Sequence, residues 1–324
     1  MIERSIVEKQ LSSTLKDINI PGLGDKYEGK VRDCYVTGDK RILVTSDRLS
    51  AFDKVLTTIP FKGQVLNALA AYWFRETAHL VPNHVLSQPH PNVFVTKEAK
   101  VFPVEVIIRG YLTGSAWRDY QSGKSISGIE LPKGLKRSHK FETPLITPST
   151  KAEKGLHDEP IASEEIVKRG LVEKSLWDEA CRAAMALFNF GTERAARQGL
   201  ILVDTKYEFG TIKDASGKEQ LIVVDEIHTA DSSRYWLSSS YENAYEKGID
   251  PEMLDKEFVR RWLIEQGYMG DGTPPEFTDE FRVDTAMKYI ELCERITGEP
   301  FQPQIGSAVE VISKVVRDAL CLGK

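Results

Sequence analysis

Two short alternating runs joined by a turn constrain this chain more than any other feature. In Leu200-Ile-Leu-Val-Asp204-Thr-Lys206-Tyr-Glu208-Phe-Gly210, the polar residues Asp204, Lys206 and Glu208 fall at every second position, with Val203, Tyr207 and Phe209 on the other parity. That period belongs to a strand, whose successive side chains point to opposite faces. The second run, Leu221-Ile-Val-Val-Asp225-Glu226, ends in adjacent carboxylates, and Lys213-Asp-Ala-Ser-Gly-Lys218 between the two reads as a hairpin turn. Strands over 200–209 and 220–227 would set the Glu208 and Asp225 carboxylates beside Lys206. Such oxygen donors suit a Mg²⁺ that bridges nucleotide phosphates, and cross-strand charge pairing on an exposed face is the other reading.

The rest of the chain supports an α+β fold. The segments 27–36, 41–45, 92–96 and 104–109 are short, rich in β-branched or aromatic residues, and bounded by Gly, Asp and Pro. Apolar residues at helical spacing predict a helix over 65–80 and a longer one over 176–197, with Gly199 just past its end. The stretch 121–161 is polar and without period, and a loop of that length is usually functional or disordered. Helices are predicted near 256–266, 279–297 and 307–322.

Composition excludes several classes. The 324 residues suffice for about two domains. Purely aliphatic runs reach only four residues, at 200–203 and 221–224, where a membrane-spanning helix needs about 20. The N-terminus carries Glu3 and Arg4 and no apolar core of a signal peptide, so a soluble, cytoplasmic protein is expected. Cys34, Cys181, Cys293 and Cys321 are far apart, as reduced thiols would be. A formal net charge of −5 without basic blocks argues against nucleic acid as partner.

Further segments carry candidate chemistry. Gly22-Leu-Gly24-Asp-Lys26-Tyr-Glu28-Gly29-Lys30-Val31 precedes a strand and is neither a Walker A loop nor a dinucleotide fingerprint; it is either a turn folded over phosphates or an ordinary hairpin. In Val104-Glu105-Val-Ile-Ile-Arg109-Gly110-Tyr-Leu-Thr113-Gly114-Ser115, Glu105 and Arg109 share one face. Arg109, Ser115 and the nearby backbone N–H groups could cradle a phosphate monoester, or Glu105 and Arg109 could form a surface ion pair. Asp231-Ser-Ser-Arg234 is a second anion-binding candidate, and Lys151, His157 and Asp158 gather in the long loop. There is no nucleophile elbow; Thr45-Ser46-Asp47-Arg48 runs from a strand into a polar turn. Phosphate grips, metal carboxylates and balancing cations are the equipment of phosphoryl transfer.

In their order, these segments resemble the SAICAR synthetase (phosphoribosylaminoimidazole-succinocarboxamide synthase) family of purine biosynthesis. The resemblance is carried by Gly29-Lys-Val-Arg-Asp33, Thr45-Ser-Asp-Arg-Leu-Ser-Ala-Phe-Asp53, Arg109-Gly-Tyr-Leu-Thr-Gly-Ser-Ala-Trp117, His157-Asp158, Asp204-Thr-Lys-Tyr-Glu-Phe-Gly210 and Asp225-Glu-Ile-His-Thr-Ala-Asp-Ser-Ser-Arg-Tyr-Trp236. The 149–161 loop and extended C-terminus are similar to the larger single-function form. The resemblance implies an ATP-dependent carbon–nitrogen ligase that joins L-aspartate to the carboxylate of carboxyaminoimidazole ribonucleotide (CAIR), giving SAICAR, ADP and phosphate through an acyl phosphate. It also implies a kinase-like nucleotide-binding architecture. An antiparallel N-terminal sheet, 1–103, would be packed on a larger α/β domain, 104–324, with C-terminal helices and ATP between the two.

Residue by residue, the resemblance assigns Gly29, Lys30 and Val31 to the ATP phosphates and Lys206 to the transferred phosphoryl. Glu208 and Asp225 would hold Mg²⁺ on ATP. Glu105, Arg109, Ser115, Asp231 and Arg234 would face CAIR, with Lys206, Lys30 and Asp231 as the catalytic group. Adenine is expected near 100–103, and Lys151, His157 and Asp158 on a closing loop. Asp47, Arg48 and the 125–128 loop are candidates for the L-aspartate site. One departure is Arg109-Gly110, where many members have Arg-Asn. The partners are then three small molecules, for a monomer or small homo-oligomer. A hydroxyl-directed kinase would need a His-Arg-Asp-x4-Asn loop and an Asp-Phe-Gly, both absent from the sequence. A non-catalytic nucleotide binder would not need to keep Lys30, Lys206, Glu208 and Asp225 together.

Overall fold

The structure, a computed structural model, describes residues 2–151, 158–214 and 216–321. The chain divides into two compact units. The first comprises residues 1–72, 84–98 and 254–324, the second 73–83 and 99–253. The sequence reading sets a single boundary at 103/104 and puts the C-terminal helices in the larger domain; here residues 73–83 group with the second unit, and the chain from Leu254 onward groups with the N-terminal strands. The reason is apolar packing. Ile312 and Val316, four residues apart on the helix Val309–Cys321, close over Leu15, Ile18, Ile20, Tyr35, Ile42 and Val93 in one buried cluster.

The first unit carries β1 (Lys26–Glu28), β2 (Arg32–Thr37), β3 (Lys40–Thr45), β4 (Arg48–Ala51), β5 (Lys54–Thr58), β6 (Val85–His90) and β7 (Val93–Lys97). Among the described residues, five of them form an antiparallel sheet in the order β1-β2-β3-β7-β6, and β4 pairs with β5 as a separate hairpin. The helix Asp279–Thr297 coincides with its sequence prediction because its ends are chemically marked. The Thr278 hydroxyl accepts from the Phe281 N–H at 3.2 Å, Asp279 and Glu280 fill the first turn, and Gly298 closes it in the left-handed region.

The second unit is built on β8 (Lys100–Tyr111), β9 (Lys140–Ile146), β10 (Ser149–Thr150), β11 (Leu200–Lys213), β12 (Glu219–Val224) and β13 (Ser233–Leu237). The sheet order is β10-β8-β11-β12, with β9 paired to β8 and β13 to β11, all antiparallel. The helix Lys174–Arg197 buries Trp177, Ala180, Ala184, Leu187 and Phe188 along one stripe. Strand β11 therefore has neighbours on both edges, and its side chains are fixed from both directions.

Several elements differ from the sequence reading. The segment 27–36 is two strands with a turn at 29–31, and the aperiodic 121–161 stretch contains β9 and β10. The β4–β5 hairpin, β6, β13 and the short helices Arg4–Gln10, Gly114–Gln121, Ser163–Lys168 and Ser238–Lys247 lack a strong period or turn signal. Among the described residues, no helix is long and apolar enough to cross a membrane. Cys34, Cys181 and Cys293 are free thiols.

Candidate active site

Register places two charged clusters on one face of β11. Across β8, Glu208 lies opposite Glu105, Lys206 opposite Ile107 and Asp204 opposite Arg109. Across β13, Asp204 lies opposite Arg234. Asp225 follows the last residue of β12 in a left-handed backbone, φ 66°, which an acidic side chain tolerates better than most.

The first cluster centres on Lys206. Its ammonium donates to Glu208 Oε1 at 2.7 Å and Glu105 Oε1 at 2.9 Å, and Asp225 Oδ2 lies 3.9 Å away. Lys151 donates to the other Glu208 oxygen. Burial opposes the charge on Lys206, but Glu208, Glu105 and Asp225 outweigh it and hold its pKa well above the ordinary 10.5. Burial alone would raise the Glu208 carboxyl; Lys206 and Lys151 outweigh it and leave Glu208 well below the usual carboxylate range. Like charges directly opposite on neighbouring strands repel. Two ammonium groups thus face three carboxylates, all hard oxygen donors, a set that fits a Mg²⁺ ion.

The second cluster is a pair of guanidiniums on one carboxylate. Arg109 Nη1 donates to Asp204 Oδ2 at 3.2 Å, and Arg234 donates to the same oxygen. Arg109 also donates to Thr147 Oγ1 at 2.9 Å and Ser115 Oγ at 3.2 Å. Burial lowers the Arg109 pKa, Asp204 opposes this and Arg234 adds to it, and an arginine stays charged throughout. Gly114, at φ 59°, makes room for Arg234: a Cβ there would sit 2.6 Å from Nη2. Asp204 and Thr147 were not singled out as site residues in the sequence, although the parity of Asp204 with Lys206 marks it. Together the clusters offer an ammonium for a phosphoryl group, carboxylates for a metal and two guanidiniums for a phosphate monoester.

The remaining candidates lie as follows. Asp231 is half-buried, and its N–H donates to Thr229 Oγ1 at 3.3 Å. Asp158 is exposed, and His157 lies outside the described residues. In the first unit, Gly29 and Val31 are half-buried in the β1–β2 turn, and the exposed Lys30 ammonium pairs with Asp53. Asp47 and Arg48, candidates for the L-aspartate site, are turned inward. Asp47 accepts from the N–H groups of Leu15 and Gly63 at 2.7 and 2.9 Å, and Arg48 is 2% exposed. In the 125–128 loop, Ser127 is spent on the Pro148 carbonyl at 3.1 Å. Asp17, Glu28 and Asp33 also converge, but Lys26 already lies 3.6 and 3.7 Å from the last two.

A lysine among strand carboxylates thus lies beside a pair of guanidiniums on one strand, the kind of charged, converging site an enzyme uses. A sequence profile of the SAICAR synthetase family matches residues 25–275. Phosphoribosylaminoimidazole-succinocarboxamide synthase of Legionella pneumophila (strain Paris) is 47% identical over 293 residues, covering 89% of this chain and 92% of that protein. The Bacteroides thetaiotaomicron protein of the same name is 48% identical over 313 residues, covering 95% and 98%. The SAICAR synthase of Saccharomyces cerevisiae complexed with SAICAR superposes with a TM-score of 0.79 at 31% identity, over 90% of this chain and 100% of that one. The chain belongs to the SAICAR synthetase family, carbon–nitrogen ligases of purine biosynthesis.

Proposed function

We propose that this chain joins the carboxylate of CAIR to the amino group of L-aspartate with hydrolysis of ATP to ADP and phosphate. A carboxylate is a poor acyl donor because its leaving group would be oxide. In the proposed route a CAIR carboxylate oxygen attacks the γ-phosphorus of ATP, the bond to ADP breaks, and an acyl phosphate forms. The aspartate amine then attacks the acyl carbon, loses a proton, and phosphate leaves with the former carboxylate oxygen.

The protein's part is placement and charge neutralisation. Arg109, Arg234 and Ser115 hold the CAIR phosphate, while Asp204, accepting from both guanidiniums, holds them side by side against their mutual repulsion. Lys206 faces the transferred phosphoryl, fully protonated at working pH because its carboxylate neighbours raise its pKa. Asp231 faces CAIR, and Lys151 and Asp158 flank the reacting end. Glu208 and Asp225 would hold Mg²⁺, with Glu105 as a further oxygen donor. When bound, the ion neutralises phosphate oxygens. Within the first unit, Lys30 and the Gly29–Val31 backbone by themselves offer a grip for nucleotide phosphate.

The observation that carries this reading is the shared face of β11: Lys206 bonded to Glu105 and Glu208, with Asp204 bonded to Arg109 two residues away. Strand geometry separates the two positions by about 7 Å. The test is ADP release, expected only when CAIR and L-aspartate are both present. With ¹⁸O in the CAIR carboxylate, the label is expected in released phosphate; unlabelled phosphate excludes the acyl phosphate.

A further inference from the structure

The Thr45-Ser46-Asp47-Arg48 segment has no part in the chemistry above, yet two of its side chains, Ser46 and Arg48, reach one neighbouring turn. Arg48 Nη2 donates to the Gly29 carbonyl at 3.1 Å, and Nε to the Lys30 carbonyl at 3.3 Å. Ser46 donates to the Val31 carbonyl twice, from Oγ at 2.6 Å and from its N–H at 2.8 Å. Three successive carbonyls of the turn are thereby drawn to one side. The bracket is itself anchored: Arg48 Nη1 reaches the Lys16 carbonyl at 2.7 Å, and Nη2 reaches Asp33 Oδ1 at 2.7 Å. Asp33, 0% exposed, also accepts from the Ile18 N–H at 3.3 Å, so the arginine is held by a buried carboxylate and not by solvent.

The planar trans peptide gives this a consequence. In each peptide unit the N–H points opposite to the C=O. With the Gly29 and Lys30 carbonyls turned towards Arg48, the N–H groups of Lys30 and Val31 point to the other side. Successive N–H groups on one side of a turn make an anion-binding concavity. The exposed Lys30 ammonium belongs to the same turn.

We propose that Arg48 and Ser46 are positioning residues for nucleotide phosphate: they hold the 29–31 turn with its N–H groups outward and so preorganise the phosphate contacts. The inference rests on the assignment of this turn to ATP in the proposed function. Neither side chain touches the nucleotide; both act through the backbone they fix.

The test compares ADP with adenosine, binding measured by calorimetry on the full chain. Arg48→Lys keeps the charge facing Asp33 but cannot span the Gly29, Lys30 and Lys16 carbonyls together. The expected result is ADP affinity weakened about tenfold, the scale of one or two lost charge-assisted hydrogen bonds, with adenosine affinity unchanged. Ser46→Ala, which removes the shortest of these bonds and leaves the buried ion pair intact, is expected to show the same selectivity to a smaller degree, and stands in if Arg48→Lys does not fold. Equal weakening of ADP and adenosine, or no change in ADP affinity, overturns the bracing. Lys30→Met separates the two layers. If it leaves ADP affinity unchanged, the assignment of the turn to ATP fails. If it weakens ADP while Arg48→Lys and Ser46→Ala do not, the bracing alone fails.

Discussion

Glu105 and Glu208 stand directly opposite one another on β8 and β11, and the Lys206 ammonium bonds to both, at 2.9 and 2.7 Å. The pair is tolerable only while a cation sits between its members. The lysine that would meet the phosphoryl group therefore also holds its own site together.

Lys206→Met, of similar length, should lower turnover by about 10²–10³-fold, the usual cost of a lost charge-stabilising donor. It should also lower the melting temperature, because Glu105 and Glu208 then face each other with only Lys151, on the other oxygen of Glu208, to offset them. In the native protein the raised pKa keeps Lys206 charged below its ordinary 10.5, and its contribution is lost only as pH rises beyond that. A pH–rate profile should show no alkaline limb from Lys206 between pH 7 and 10; a limb abolished by Lys206→Met contradicts this.

Asp225→Asn should separate metal binding from folding. Asparagine accepts the left-handed backbone at φ 66°, so the fold should persist by circular dichroism. Mn²⁺ affinity, read by electron paramagnetic resonance, and turnover should each fall at least about tenfold, as for a lost metal ligand. Near-normal values for both would make the carboxylates structural.

Asp204→Asn leaves the Arg109 and Arg234 guanidiniums without the anion between them. The KM for CAIR should rise about tenfold with kcat little changed, the signature of lost uniform binding. The phosphate-free nucleoside should be processed equally by variant and parent. A lower KM for CAIR would mean that Asp204 only repels the phosphate.

His228 supplies a pH dependence of stability. It is 0% exposed, bonded to the Tyr207 hydroxyl and set edge-on to Trp73, and burial pushes its pKa from 6.5 down to about 3. Between those values the unfolded chain binds the extra proton, so stability is present above about 6.5 and is lost as pH falls towards 3. The slope is at most about 1.4 kcal/mol per pH unit. Urea midpoints should drop from pH 7 to 5, and His228→Gln should flatten that drop. Glu208, with its pKa lowered, adds a second loss only below its ordinary 4.5.

The parts legible in the sequence are those set by local period. Asp204, Lys206 and Glu208 share a face because a strand alternates, and the Asp279–Thr297 helix is marked by its own ends. Pairings across long separations are not local: nothing near Arg109 announces that it meets Asp204, 95 residues on. The β4–β5 hairpin escaped because its turn uses Phe52 and Asp53 in left-handed backbone where glycine would be the usual signal. The burial of Arg48 was not legible, because an arginine in a polar motif carries no mark of it. The C-terminal helix was legible, but its docking onto the N-terminal core depends on Ile312 and Val316 finding Leu15 and Tyr35.

Because β11 carries both clusters, it works as a ruler. The gap between the Arg109–Arg234 pair and the Lys206 cluster is a fixed number of residues on a strand held at both edges; under the proposed function, the length of the accepted substrate would be written into backbone rise, which side-chain exchange cannot retune. A single-residue insertion between Asp204 and Lys206 would turn one cluster towards the buried face that holds Tyr207. Insertions at Asp214–Lys218, beyond the graduated part of the strand, should leave the measure intact.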